Sequence, residues 1–283
     1  MHEINIGTRS SPLAMAQTKI IADMIMRFNP DIKINIIGIK TSGDKHILPF
    51  SNNPSGIKGM FTLEIEQALL EGKIDFAVHS LKDLPAELSP SLPIVAYSRR
   101  ANPFDALIGG GNIIGSSSLR RRLQLERIYP DKKILPIRGN VNTRLKRLDN
   151  GEFSGLVLAV SGLERLGLAD RITHIFSPDE IMPAPGQGIL ACQGIADRDY
   201  SYLSCVDDKN SRDCAIAERS FAHALGAGCN VPAGAYAVVD GDMLTLRGLY
   251  IDERTYNFHS GKITGKRYEA SIIGQKLADM IIS

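Results

Sequence analysis

Tryptophan is absent from the 283-residue chain, and aromatic residues make up only 6% of it. So few flat side chains argue against a nucleic-acid binder that works by stacking bases. Charge points the same way: 33 basic and 31 acidic residues leave a net +2, far from the basic footprint of a nucleic-acid surface. No run approaches the ~20 apolar residues of a membrane span. The opening Met1-His2-Glu3-Ile4 lacks the basic start and long apolar run of a secretory signal. Four cysteines, Cys192, Cys205, Cys214 and Cys229, form no Cys-x-x-Cys pair, and six histidines show no metal-ligand spacing. The expectation is a cytoplasmic, reduced, metal-free protein with mostly buried thiols. Internal repeats and low-complexity segments are also missing.

What is present is a globular composition, 43% apolar, at a length that suggests two or three domains. Short β-type runs alternate with helix-type runs: strands at Ile4–Ile6, Ile34–Ile39, Ile74–Val78 and Gly155–Val160, helices at Ser11–Phe28, Phe61–Leu70, Leu119–Tyr129 and Val141–Leu148. Such alternation predicts parallel sheets covered on both faces. Two punctuation points, Arg99-Arg100-Ala101-Asn102-Pro103 and Pro183-Ala184-Pro185-Gly186-Gln187-Gly188, suggest boundaries. Beyond them, Ser211–Leu225 reads as one amphipathic helix. The tail carries β-type runs at Ala233–Val239 and Met243–Tyr250 and a closing helix at Ala270–Ile282, an α+β module of a different kind.

Charge is concentrated rather than spread. From Arg120 to Arg147 ten basic residues face only two acids, a local +8. Guanidinium groups pair carboxylates bidentately, so this stretch is either a solvated face or an anion trap. Gly115 and Ser116-Ser117-Ser118, directly before an apolar-periodic run, favour the trap, because a helix start presents free N–H groups to anions. Gly7-Thr8-Arg9-Ser10-Ser11-Pro12 repeats the pattern of strand, glycine, hydroxyls, Arg and helix, which suggests two similar lobes facing one cleft. Strand Ile74–Val78 ends in His79-Ser80-Leu81-Lys82-Asp83-Leu84-Pro85, and strand carboxyl ends are where α/β sheets gather ligands. Cys229 follows Gly226-Ala227-Gly228 after a long helix; a helix C-terminus disfavours a thiolate, so a nucleophilic Cys229 needs nearby arginines. Against each of these stands a plain alternative: a surface loop, ordinary helix caps, a buried structural cysteine.

Taken in order along nearly the whole chain, these motifs resemble the porphobilinogen deaminase (hydroxymethylbilane synthase) family. The matching segments are Gly7 to Ala14, Ala77 to Pro85, Gly115 to Arg121, Arg138 to Val141, Thr143 to Leu145, Leu148 to Gly151, Leu158 to Leu163, Pro185 to Gly188, and Gly228-Cys229. The resemblance implies two periplasmic-binding-protein-like (type II) α/β lobes plus a smaller α+β C-terminal domain. Domain 1 would span 1–98 and 188–207, domain 2 103–183, and domain 3, carrying Cys229, 211–283.

The implied enzyme is a transferase that joins four porphobilinogen units head to tail on a dipyrromethane primer, itself made from substrate and held by a thioether to Cys229. Ammonia leaves at each step. Asp83 would be the catalytic carboxylate. Lys82, Asp83, Ser117, Ser118, Arg120, Arg121, Arg138 and Gly139 would hold the cofactor, and Arg9, Ser11, Ser80, Arg144, Arg171 and Gln187 the substrate. The loop Thr41–Lys58 would be a lid, with Lys58 and Phe61 closing on the bound chain. The implied partners are porphobilinogen alone, with no nucleic acid and no membrane, and the protein would be a monomer.

This chain departs from the family at Ser116, where Thr is usual, and at Pro54, in place of a second loop lysine. An anion-binding two-lobed receptor without catalysis is the rival; a nucleic-acid binder built on Arg120–Arg147 is a weaker one.

Overall fold

The computed structural model describes residues 2–41, 62–226 and 231–282. By contacts the chain forms two compact units, Met1–Arg100 with Ile189–Arg212, and Ala101–Gly188 with Asp213–Ser283.

In the first unit, β1 (His2–Arg9) leads into α1 (Pro12–Phe28), and then β2 (Ile32–Ile39). The local chemistry explains the helix start: Ser11 Oγ accepts from Ala14 N at 3.3 Å, and Pro12 supplies a preset φ where no donor is needed. The unit continues with α2 (Leu63–Leu70), β3 (Phe76–Ser80), β4 (Ile94–Tyr97) and, after the return at Ile189, β10 (Leu190–Gln193). The sheet order is β2-β1-β3-β10-β4. β1 runs parallel to β2 and β3, while β10 is antiparallel to β3 and to β4. One face packs Ile21, Ala22 and Ile25 of α1 on Ile4, Ile6, Phe76 and Val78. The other packs Ile65, Ala68 and Leu69 of α2 on Ile74 and Ala77. Each fully buried Ile or Phe contributes roughly 1.5–3 kcal/mol, so β3 is anchored from both sides.

The second unit repeats the design. It comprises β5 (Asp105–Gly109), β6 (Ile113–Gly115), α3 (Leu119–Ile128), β7 (Lys133–Leu135), α4 (Val141–Asp149), β8 (Gly155–Ala159), α5 (Val160–Arg165) and β9 (Ile172–Ile175). Its sheet order is β7-β6-β8-β5-β9, again three parallel strands followed by an antiparallel one and a return. Both sheets therefore share one topology, with strands in the order 2-1-3-n-4. They are mixed rather than purely parallel, because the crossing segments themselves become strands β5 and β10. In both, the carboxyl ends of three parallel strands share one edge.

The same unit holds a third sheet, an antiparallel meander of β11 (Ala233–Asp240), β12 (Met243–Ile251) and β13 (Phe258–Lys266), with α7 (Ala270–Ile282) and all but the first turn of α6 (Lys209–Ala224). β13 does not stand out in the sequence. Its inward positions are Gly261, Ile263 and Gly265, and a Cβ on Gly261 would come within 2.9 Å of Ile281 of α7. Close helix approach has replaced the apolar alternation that normally announces a strand. Among the described residues no helix is long and apolar enough to cross a membrane.

Candidate active site

The carboxyl edge of the first sheet carries a pocket with about 440 Å³ of empty space, open to solvent, whose lining includes Arg9, Ser11, Gln17, His79, Ser80 and Asp83. β1 delivers Arg9, the cap of α1 delivers Ser11, and the end of β3 delivers His79 and Ser80. A single 3-10 turn, Leu81–Asp83, then turns the exposed Asp83 toward the pocket, pinned by Leu81 N to Ile189 O at 3.0 Å and Leu84 N to Leu81 O at 3.1 Å. Thr8 Oγ1 donates to Val78 O at 3.3 Å and locks the two strands together. Ser80 Oγ donates to Gln17 Oε1 at 3.1 Å. The structure thus brings together four residues named from sequence, Arg9, Ser11, Ser80 and Asp83. Lys82 shares the turn but is absent from the pocket wall.

Sequence inspection missed Gln17, and it placed His79 at the strand end without giving it a role. Burial pushes the His79 imidazole down to about 4, the Arg9 charge adds to this, and Gln193 opposes it. The site therefore holds a neutral imidazole beside a guanidinium at neutral pH.

At the carboxyl edge of the second sheet, Ser116-Ser117-Ser118 follow β6 and lead into α3, with Ser118 Oγ accepting from Arg121 N at 3.4 Å. Ser117 Oγ donates to Ile137 O at 2.5 Å and accepts from Ile137 N at 2.9 Å, which ties this turn to the end of β7. From there Arg138 and Gly139 lead into α4, capped by Asn140 Oδ1 on Thr143 N at 2.9 Å. Gly139 has φ 111°, a conformation that favours glycine, and its carbonyl accepts from Arg144 Nε at 2.8 Å. Ser117, Ser118, Arg120, Arg121, Arg138, Gly139 and Arg144 thus belong to one edge.

Arg120 and Arg121 are not a solvated pair. Both are buried, and both bind Asp105, a residue with no exposed surface that sequence inspection did not single out. Arg120 Nη2 reaches Asp105 Oδ2 at 2.9 Å and Arg121 Nη2 reaches Asp105 Oδ1 at 2.6 Å. Gln187 is also fully buried; its amide donates to Asp105 Oδ1 at 2.8 Å and to Pro103 O at 2.6 Å.

Arg171 lies elsewhere. It precedes β9, whose start is level with the amino end of β8, and it pairs with Asp149 at 2.5 Å. The guanidinium near the carboxyl end of β8 is instead that of Arg165, which donates to Gly188 O at 2.7 Å; burial lowers its pKa to about 10. Nothing in the local sequence separates Arg165 from any other basic helix end. Cys229, Lys58 and Phe61 lie outside the described residues.

The donor set suits a ligand that carries carboxylates. Arg121 Nε and Ser116 Oγ are buried without a hydrogen-bond partner, and two guanidinium groups share the single carboxylate of Asp105. This edge is short of acceptors and of negative charge, as a site for an anionic ligand should be.

Two α/β sheets of like topology, each gathering cations and hydroxyls at its carboxyl edge, define a two-lobed α/β protein built to handle anionic ligands. Residues 4–201 match the family model described as porphobilinogen deaminase, dipyrromethane cofactor binding domain, and residues 213–283 match the porphobilinogen deaminase C-terminal domain. The chain belongs to the porphobilinogen deaminase family, transferases of tetrapyrrole biosynthesis. The porphobilinogen deaminase of Acetivibrio thermocellus is 46% identical over 98% of this chain and 97% of that protein. That of Ruminiclostridium josui is 43% identical over 98% and 97%. Among solved structures, a periplasmic sulfonate-binding protein from Methylobacillus flagellatus aligns at 12% identity with a TM-score of 0.38, over 77% of this chain and 67% of that one.

Proposed function

We propose that this chain condenses four porphobilinogen units head to tail, with Asp83 as the catalytic carboxylate. The observation that carries this is the convergence of Arg9, Ser11, Ser80 and Asp83 on one pocket. Each substrate ring brings an acetate and a propionate, which suit Arg9 and the hydroxyls around it. As the aminomethyl C–N bond breaks, nitrogen leaves with the electron pair as ammonia and the substrate becomes a cationic azafulvene. Asp83 stands opposite that cation and the pyrrole N–H, stabilises both, and accepts the proton lost once the new C–C bond has formed. Water finally releases hydroxymethylbilane.

The dipyrromethane, held by a thioether to Cys229, supplies the free pyrrole carbon at which growth begins. Ser117, Ser118, Arg120, Arg121, Arg138, Gly139, Lys82 and Asp83 would hold its carboxylates and ring N–H groups. Arg144 and Gln187 would contact substrate, as would Arg9, Ser11 and Ser80. The position of Arg171 gives it no support as a substrate contact. The partition into 1–98 with 188–207, 103–183 and 211–283, and a cytoplasmic monomer that binds no nucleic acid, complete the proposal.

Intact-mass measurement of the purified protein tests it. The expected mass exceeds that of the chain by two deaminated porphobilinogen units, and peptide mapping places the excess on Cys229. An unmodified chain that is fully active, or an adduct on another cysteine, refutes it.

A further inference from the structure

Asp105 occupies the first position of β5, directly after the chain enters the second unit, and has no exposed surface. Its two oxygens are divided between two arginines rather than given to one. Oδ2 takes Arg120 and Oδ1 takes Arg121, with Gln187 added on Oδ1. The remaining bonds of these arginines are to main chain: Arg120 Nη1 donates to Met182 O, and Arg121 Nη1 to Val157 O at 3.2 Å. Gln124 closes the set, donating to Arg120 O at 3.0 Å and accepting from Met182 N at 2.8 Å.

Two adjacent like charges at a helix start repel, and without an anion between them their side chains would diverge. The cluster as built keeps one net positive charge. Burial and the Arg121 charge both lower the pKa of Arg120, and Asp105 raises it. Arg121 Nε, buried and without an acceptor, is left over once Asp105 has been served. A purely structural ion cluster would balance its charges and satisfy its donors. This one is short by one anion.

We infer that Asp105 is a positioning residue for the reaction. It is a built-in carboxylate that takes one of the two places offered by Arg120 and Arg121, fixes both guanidinium groups in a common pose, and leaves the other place for a single carboxylate of the pyrrole chain. Gln187 fixes Asp105 in turn and makes it answer to the 183–188 turn, where Gly186 and Gly188 hold φ of 73° and 92°. This inference rests on Arg120 and Arg121 holding pyrrole carboxylates.

The test uses the full chain with its adduct in place. Asp105→Asn keeps the volume and removes the charge; Asp105→Glu keeps the charge and moves it by one methylene. Each is given porphobilinogen for timed intervals, and the ladder of chain lengths is read by intact mass beside kcat and KM. Arg120→Leu and Arg121→Leu are run in parallel to test the underlying reading. With arginine-specific 15N labelling, the slowly rotating Nη groups of Arg120 and Arg121 report the pose directly.

In folded Asp105→Asn we expect kcat to fall at least tenfold, elongation to stall at the chain length at which the arginine variants stall, and the hindered Nη signals of both arginines to collapse together. Asp105→Glu should stall at the same length with a smaller loss and recover part of the signals, which covers the case in which Asp105→Asn does not fold. A folded variant that is less heat-stable but has normal kcat, KM and ladder makes Asp105 merely structural and overturns the inference. Stalling at a length unlike that of the arginine variants also overturns it. Normal ladders in Arg120→Leu and Arg121→Leu would instead bring down the carboxylate-holding role itself, and this inference with it.

Discussion

Glu218 on α6 has no exposed surface, and its two oxygens serve two distant strands of chain. Oε2 accepts from Gly186 N and Oε1 from Ala237 N, each at 2.7 Å. One side chain thus joins the turn that carries Gln187 to the sheet that opens with β11. Replacing it by Ala strands two buried N–H groups. Each such loss costs about 1–3 kcal/mol, more when the lost partner was charged, so Glu218→Ala should cost about 4 kcal/mol. Glu218→Gln retains one acceptor and should cost about half of that. At roughly 2–4 °C per kcal/mol, Tm should fall by about 8–16 °C for Ala and about half as much for Gln. Differential scanning calorimetry measures the shift. Hydrogen exchange assigns it, because protection should drop first at the amides of Gly186 and Ala237. A Glu218→Ala protein that melts within about 2 °C of wild type, or keeps both amides protected, would show that the two bonds contribute little and refute the reasoning.

Two further outcomes follow from the first unit. His79 has a folded pKa of about 4 against 6.5 when exposed. Between those values the unfolded chain takes up a proton that the folded chain refuses, so this contribution to stability is complete above pH 6.5 and is lost as pH falls toward 4, by about 3 kcal/mol in all. His79→Gln should flatten the stability–pH curve in that window; parallel curves for variant and wild type would contradict it. Asp83→Asn keeps its size and loses its charge, and turnover should fall by about 10²–10⁴ with the fold intact. Near-normal steady-state turnover in folded Asp83→Asn would remove Asp83 from the chemical step.

Local chemistry made much of this protein legible before any fold was known. Ser11-Pro12 and the serines before Leu119 announce helix starts because capping is decided within one turn of chain. Strand–helix alternation announces α/β sheets because periodicity follows which face is buried. The motif order from Gly7 to Cys229 leads to the family on its own. What remained hidden depends on neighbours far apart in sequence. Nothing around Asp105 shows that it lies under two arginines of another element, or that Arg120 and Arg121 are buried rather than solvated. Arg171 and Arg165 look equally suitable in sequence; only the strand directions put one near the carboxyl edge and the other at the opposite end. β13 stayed silent because two of its inward positions, Gly261 and Gly265, are glycines that let a helix lie close on them. Propensities and caps act over a few residues, whereas burial and charge pairing are set by which distant segments the sheet topology brings together, and that only the tertiary structure decides.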